Sequence, residues 1–351
     1  MADCAYAVLT PYLIPSELQG RKVVNLGDGV IVRAIERLIG RFASVRCFTP
    51  RVTPSPEVVK VLEASPAVIL AGANQLNDHF SVWPGLTADC IRIGRFHFVP
   101  FGIGLHGDPG KNEGLTDAAR EVLEIIHERI EFSSWRCPRT VAYLERELPQ
   151  LKGRFLMTGC PVVYDSPLLE GGRFHEDICS VAVTVTERHD FWDREIRTVD
   201  FVARRFPRAR RYLVLHQNYS PPGKFEFLRH RLLPFSRDCE NAYERLRWYA
   251  VKRGFRVVTP NSADAGIRFY QDIDLHVGSR LHAHLLFLSR NKRSFLTQVD
   301  GRALGMAEYF GFPLCDPNRF DDYLDFDFET VRSRARDSFQ VMERFVKSLP
   351  R

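Results

Sequence analysis

The chain predicts an α/β protein of two Rossmann-like domains facing a central cleft, and three observations carry that expectation. Short apolar or β-branched runs alternate with helix-period segments in both halves, the rhythm of parallel sheets. Those runs end in glycine turns or polar clusters, beyond the carboxyl ends of strands, where open sheets gather ligands. With 351 residues there is chain enough for two units, each with its own core.

Composition excludes several classes. Hydrophobic residues make up 45% of the chain, yet no apolar run approaches membrane-spanning length. The N-terminus MADCAYAVLTPYLIPSE lacks a basic flank and a long apolar region, so a cytoplasmic protein without stable membrane insertion is expected. Eight cysteines, at 4, 47, 90, 137, 160, 179, 239 and 315, form no CxxC pair, which argues for reduced thiols and against a disulfide framework or structural zinc. Cys137 and Cys160 read as packing residues. Histidines and carboxylates do not fall at ligand spacing, so no metal is expected. The net charge is +6, densest at Arg204, Arg205, Arg208, Arg210 and Arg211, a solvated helix end and loop. Aromatics are not interleaved with basic residues, so no nucleic-acid partner is expected. A positive cleft for a small anionic substrate fits better.

In the first half, Ala5 to Leu13 gives a strand, with Pro15 and Gly20 as breakers. Asn25-Leu26-Gly27-Asp28-Gly29 forms a turn into a helix whose Ile31, Ile35, Leu38 and Ile39 share one face. Asp28 either caps that helix or acts on an acceptor hydroxyl. Ala67 to Ala71 reads as a buried parallel strand ending in Gly72-Ala73-Asn74-Gln75-Leu76. His97 to Phe101 is the next strand, followed by Gly102-Ile103-Gly104, without the full dinucleotide fingerprint. Residues 105 to 116 form a loop, and Thr116 to Glu131 an amphipathic helix. Arg136 follows at the start of Arg136-Cys137-Pro138-Arg139-Thr140, and Phe155 to Pro161 supplies a further strand and turn. Pro167, Gly171 and Gly172 lie in a stretch of little periodicity and mark a linker.

The second half restarts the rhythm: strand Ser180 to Thr186, helix Arg194 to Phe206, strand Tyr212 to His216, helix Ser236 to Arg253, strand Phe255 to Thr259. Arg188 and His216 fall at carboxyl ends of strands, as structural residues or ligand contacts. The stretch from Asp272 to Pro313 then organises the rest. Ile273, Leu275 and Val277 alternate with Asp274 and His276 as a strand, and Gly278 breaks it. Ser279 serves as N-cap, so Arg280, Leu281 and His282 form the first turn of a helix, where unpaired N–H groups favour an anion. Ser294 to Val299 is the next strand, Asp300-Gly301 a turn, and Arg302 to Phe310 a helix. His284 and His276 read as core histidines. Phe328 to Leu349 closes the chain as a helix packed across the domains.

Gly278-Ser279-Arg280-Leu281-His282 and Asp300-Gly301-Arg302-Ala303-Leu304-Gly305 resemble the signature of the polysaccharide pyruvyl transferase family. Asn25 to Asp28, Gly72, Gly102 with Gly104, Arg136, and Thr158-Gly159-Cys160-Pro161 extend the likeness over about residues 20 to 315. The chain departs from the family pattern at Ala73, where a glycine is usual, and at Cys137, where an aspartate is.

The resemblance implies a GT-B-like arrangement. Residues 1–165 form the acceptor-side domain, 166–178 the linker, 179–327 the domain that binds the donor phosphoenolpyruvate, and 328–351 the terminal helix. It implies transfer of the enolpyruvyl group onto hydroxyls of a sugar or polysaccharide precursor as a pyruvate ketal, with no cofactor. Arginine forks suit the donor's carboxylate and phosphate, and an adjustable histidine suits the proton transfer. Donor binding is then expected at Ser279, Arg280, Leu281, His282, Arg302, Arg136 and Arg188. Arg280 would take phosphate or carboxylate, with Arg302 or Arg136 completing the clamp. His282 would be general acid or phosphate partner. Acceptor contacts are expected at Asn25, Gly27, Asp28, Gly72, Asn74, Gln75, Gly102 and Gly104, with Asp28 beside Arg280 and His282 in catalysis. A glycosyltransferase with a nucleotide-sugar donor is the first rival, and a non-catalytic binding protein on the same fold the second.

Overall fold

A computed structural model describes residues 5–12, 25–40, 44–107, 112–216 and 239–350. The breakers Pro15 and Gly20, Cys4, and the start of the helix expected from Ser236 lie outside the described residues.

The first half is a parallel sheet. Strands β1 (Ala5–Leu9), β2 (Ser44–Phe48), β3 (Val68–Ala71) and β4 (Phe98–Phe101) run in the order β2-β1-β3-β4. A parallel bridge from Ile103 to Trp135 carries it on to the pair β5 (Ser133–Trp135) and β6 (Phe155–Met157). All four residues of β3 are buried, as its unbroken apolar run requires of a strand covered on both faces. β1 is shorter than expected. Thr10 still donates to the Phe48 carbonyl, but Pro11 has no N–H to continue the ladder.

The second half is another parallel sheet, in the order β11-β10-β7-β8-β9. It comprises β7 (Ser180–Thr184), β8 (Arg210–Val214), β9 (Arg256–Val258), β10 (Leu275–Gly278) and β11 (Ser294–Leu296). β10 lies between β7 and β11, with Val277 opposite Val183 and Phe295. An interior strand therefore carries the key motif.

The helices in chain order are α1 (Leu26–Ile39), α2 (Pro56–Ala64), α3 (Ala88–Ile93), α4 (Asp117–Arg129), α5 (Pro138–Glu147), α6 (Ser166–Glu170) and α7 (Trp192–Arg205). There follow α8 (Cys239–Lys252), α9 (Ala263–Gln271), α10 (Leu281–Leu288), α11 (Gly301–Phe310) and α12 (Glu329–Lys347). Three of the helix starts amend the sequence reading. The turn expected over Asn25 to Gly29 is helical from Leu26, because the Asn25 side chain accepts from Gly27 N–H at 3.1 Å and caps it. Asp28 is thereby released from capping. The N-cap of α10 is Arg280 and not Ser279, since Ser279 N–H still donates to the Thr184 carbonyl, continuing the sheet ladder. The stretch 166–178 is not wholly irregular: Asp165 caps α6 within it. β2, α2, α3 and α9 were not expected at all.

The two halves are joined by α1, which packs on α9 and α10, with Gly266 against Leu26 and Arg33 forked onto Asp264 at 2.7 and 2.8 Å. α12 returns from the second half to the first, as expected. Phe345 meets Phe101 edge-on at 4.9 Å, and Ser338 hydrogen-bonds Tyr164 and the Thr158 carbonyl.

Candidate functional site

The site is built where β10 ends. Gly278 has φ +146°, and a Cβ there would lie 2.0 Å from the Thr184 carbonyl oxygen, so only glycine lets β10 run this close to β7. The Thr184 hydroxyl accepts from Arg280 N–H and bonds His276 Nε2, whose Nδ1 meets Ser294. His284 also bonds Ser294. His276 and His284 are thus core residues bracing the turn, as read from sequence.

Beyond the turn, Ser279, Arg280, Leu281, His282 and Arg302 line one cavity of about 180 Å³ with Asn25, Gly27 and Arg188. Eight of the expected site residues meet there, from both halves of the chain. His282 is the pivot. Its Nδ1 lies 2.7 Å from where a Cβ on Gly27 would sit, so the first turn of α1 rests on the imidazole. Its Nε2 is buried with no hydrogen-bond partner among the described residues. Burial, with Arg136 and Arg302 nearby, pushes its pKa well below the ordinary 6.5. The imidazole is therefore neutral near pH 7. That amends the expectation of a resident general acid: His282 accepts a proton unless a bound anion restores its charge.

The cations differ in readiness. Arg280 is engaged, with Nε on the Val185 carbonyl at 2.8 Å and its guanidinium on Glu187. Arg302 is chelated by Asp300, whose side chain also caps α11. Burial works against the Arg302 charge, but the paired Asp300 outweighs it and keeps the guanidinium firmly protonated. Arg188 is at the rim, half exposed, its guanidinium 3.9 Å from Asp190 and over the Phe191 ring. His216 joins the cavity lining with Nε2 on the Tyr270 hydroxyl at 2.6 Å.

Arg136 reaches the site from the first half. It is 1% exposed and donates to the Ala73 carbonyl (2.7 Å), Asn74 Oδ1 (3.1 Å) and the Gly102 carbonyl (3.3 Å). The glycine-rich turns after β3 and β4 thus serve as a cradle for this arginine. Asn74, Gly102 and Gly104, expected to meet an acceptor, enclose Arg136, and Gly104 also lines a cavity beside it. Gly72 presses on Ile31, and the Gln75 amide donates to the Ala71 and Gly72 carbonyls, so both brace the turn. Ala73 keeps the left-handed φ of +61° that a glycine would adopt freely. Cys137 does not pair with Arg136; its Sγ lies 3.2 Å from the Thr140 hydroxyl.

Asp28 is buried and faces the fields of Arg302 and Arg136. Burial prevails, and its carboxyl is raised above the ordinary range. A carboxyl ready to hold a proton thus lies near a neutral imidazole and two arginines, an arrangement fit for acid–base work on an anionic substrate. Glu187 and Asp300, the acids that position the arginines, were not singled out from sequence. Asp300 was legible as the residue opening the Asp-Gly turn; Glu187 carried no signal. Among the described residues no cluster of His, Cys, Asp and Glu could hold a metal, and no helix is long and apolar enough to cross a membrane.

The fold is of the GT-B type, two parallel α/β sheets facing a cleft with a terminal helix crossing back. No family model and no curated protein matches the sequence. Among solved structures, the UDP-GlcNAc 2-epimerase of Methanocaldococcus jannaschii, in complex with UDP-GlcNAc and UDP, is similar over 98% of this chain and 99% of its own. Its TM-score is 0.50 at 9% identity. The UDP-GlcNAc 2-epimerase of Neisseria meningitidis, bound to UDP-GlcNAc, covers 98% and 99% with TM-score 0.49 and 9% identity. The accessory secretory protein 1, 2 and 3 structure from Streptococcus pneumoniae covers 71% of this chain at 10% identity and TM-score 0.42, and this chain spans 47% of that one.

Proposed function

We propose that the chain is a GT-B-fold transferase acting on sugars, which takes a phosphate-bearing donor into the cavity beside Arg280, His282 and Arg302 and passes a group to a sugar hydroxyl. The observation that carries this reading is the convergence of His282, Arg302, Asp28 and Arg136 from opposite halves of the molecule. Cations and helix N-termini favour the phosphate, and groups of displaced pKa handle protons.

For the donor we take phosphoenolpyruvate. Two things support it: the resemblance carried by Gly278–His282 and Asp300–Gly305, and the size of the cavity. About 180 Å³ is small beside the hundreds of Å³ that larger ligands need, and it suits a three-carbon donor. On this reading one sugar hydroxyl adds to the enol carbon while the methylene carbon gains a proton. A second hydroxyl then displaces phosphate from the same carbon. The products are the ketal and inorganic phosphate, and the two hydroxyl protons end on the methyl group and the phosphate. Neutral His282 is suited to receive a hydroxyl proton, and the raised carboxyl of Asp28 to supply one.

A nucleotide-sugar donor is the second reading, favoured by the likeness of fold to the Methanocaldococcus jannaschii epimerase, whose structure holds UDP-GlcNAc and UDP. Thermal-shift measurements separate the two. A specific ligand at a hundredfold excess over its Kd adds about 2.7 kcal/mol. Stabilisation by phosphoenolpyruvate and not by UDP or CMP, with a product heavier by pyruvate minus water, is the expected result. The reverse pattern would replace the pyruvyl donor by a nucleotide sugar.

A further inference from the structure

A second cavity, of about 300 Å³, adjoins the donor cavity, and Arg302 lines both. Four arginines line it, Arg136, Arg139, Arg146 and Arg302, and among the described residues no acidic side chain does. Three of them are matched by carboxylates: Arg139 by Glu308, Arg146 by Glu147, Arg302 by Asp300. Among the described residues, Arg136 has only the neutral oxygens of Ala73, Asn74 and Gly102. A guanidinium 1% exposed ordinarily has an ionic partner. The acid whose field it feels, Asp28, is itself shifted toward its neutral form. Among the described residues, the cavity wall therefore carries buried positive charge without a matching acid.

We propose that this second cavity binds the sugar acceptor by a phosphate or diphosphate ester, so that the acceptor enters as a glycosyl phosphate. Its anionic end lies toward Arg136 and Arg146, and its sugar toward Arg302, where the two cavities meet. The word acceptor rests on the transferase reading above; the binding of a sugar phosphate does not. Free, nucleotide-linked and lipid-linked glycosyl phosphates share this chemistry.

Calorimetric titration of the whole protein tests it, with a hexose 1-phosphate, the free hexose, and the same hexose diphosphate carrying a nucleoside or a short alkyl chain. The hexose 1-phosphate is expected to bind at least tenfold more tightly than the hexose. Arg146→Gln is expected to weaken it tenfold or more, while His282→Ala leaves it within about twofold. Arg146 is well exposed and its partner Glu147 keeps Arg120, so this variant retains the fold. Tighter binding of the nucleoside or the alkyl ester supports the assignment and names the source. Equal binding of hexose and hexose phosphate overturns it, as does displacement by phosphoenolpyruvate, which would put the phosphate in the donor cavity. Should Arg146-dependent binding persist in a protein that transfers nothing from any donor, the transferase reading falls and this assignment stands.

Discussion

Replacing His282 by Ala removes the buried imidazole that faces Arg136 and Arg302, and turnover is expected to fall by about 10²–10⁴, the usual contribution of a general acid or base. Single-turnover assays with phosphoenolpyruvate check this, and near-normal rates would take His282 out of the mechanism. Ala73 makes a different kind of test. Its φ of +61° places a Cβ in a backbone region that costs an L-residue about 1–2 kcal/mol, yet its carbonyl anchors Arg136 at 2.7 Å. Ala73→Gly removes that strain but frees the unfolded chain by about 0.4–1 kcal/mol. A net gain of up to about 1.6 kcal/mol in urea unfolding is expected, with Arg136 undisturbed. At this scale the sequence exposed the residue types and not their partners. Arg280 and His282 stood out because glycine and polar residues broke an apolar pattern. Glu187, which occupies Arg280, lies 93 positions away along the chain, and nothing local announces such a pairing. Asn74 and Gln75 were read as ligand contacts because both are polar and follow a strand, but one holds Arg136 and the other its own turn.

Among elements, α5 and α11 join the two halves beside the second cavity. A Cβ on Gly305 would lie 2.8 Å from Cys137 Sγ and 3.0 Å from its Cβ, so Gly305→Ala must push the helices apart. The expected cost is about 1–3 kcal/mol, as for other overpacked contacts. The Arg139–Glu308 pair joins the same two helices, but with side chains 37% and 43% exposed it is expected to contribute under about 1 kcal/mol. Chemical denaturation of Gly305→Ala and Glu308→Gln should rank them in that order; the opposite ranking would make the ion pair the main clasp. Elements with unbroken apolar runs or clear helical faces, such as β3, α4 and α12, were legible. α2 was announced only by Ser55-Pro56, an N-cap and first-turn proline, before a short valine-rich run of which Leu62 alone is buried, and β2 carries a central arginine in a short edge strand. Weak periodicity hid both, and tertiary pairing supplied what local pattern lacked.

For the molecule as a whole, buried histidines set the response to acid. Burial pushes His127 down to about 4 and His276 down to about 3, and holds His216, His282 and His284 well below the ordinary 6.5. All five are neutral in the fold, while the unfolded chain takes up their protons as the pH falls past 6.5. A depressed folded pKa means stability that is full above the unfolded value and is lost as the pH drops toward the folded one. Between pH 7 and 5.5 each such histidine removes about 1.2 kcal/mol, so five remove about 6, against a usual total of 5–15 kcal/mol. The raised carboxyls of Asp28 and Glu195, both lifted by burial, act in the opposite sense and offset part of that loss. The melting temperature is therefore expected to fall steeply from pH 7 to 5.5. His127→Gln, which can keep a polar group near the Leu123 carbonyl and the Ser133 hydroxyl, should flatten that slope by about a fifth. A saturating anionic donor would oppose the fall by restoring charge to His282 alone, so the donor-bound protein should lose less than the free one over the same range. A flat profile from pH 7 to 5.5 would mean that these imidazoles meet water or acidic partners, and with them would go the neutral His282 on which the proton-transfer roles are built.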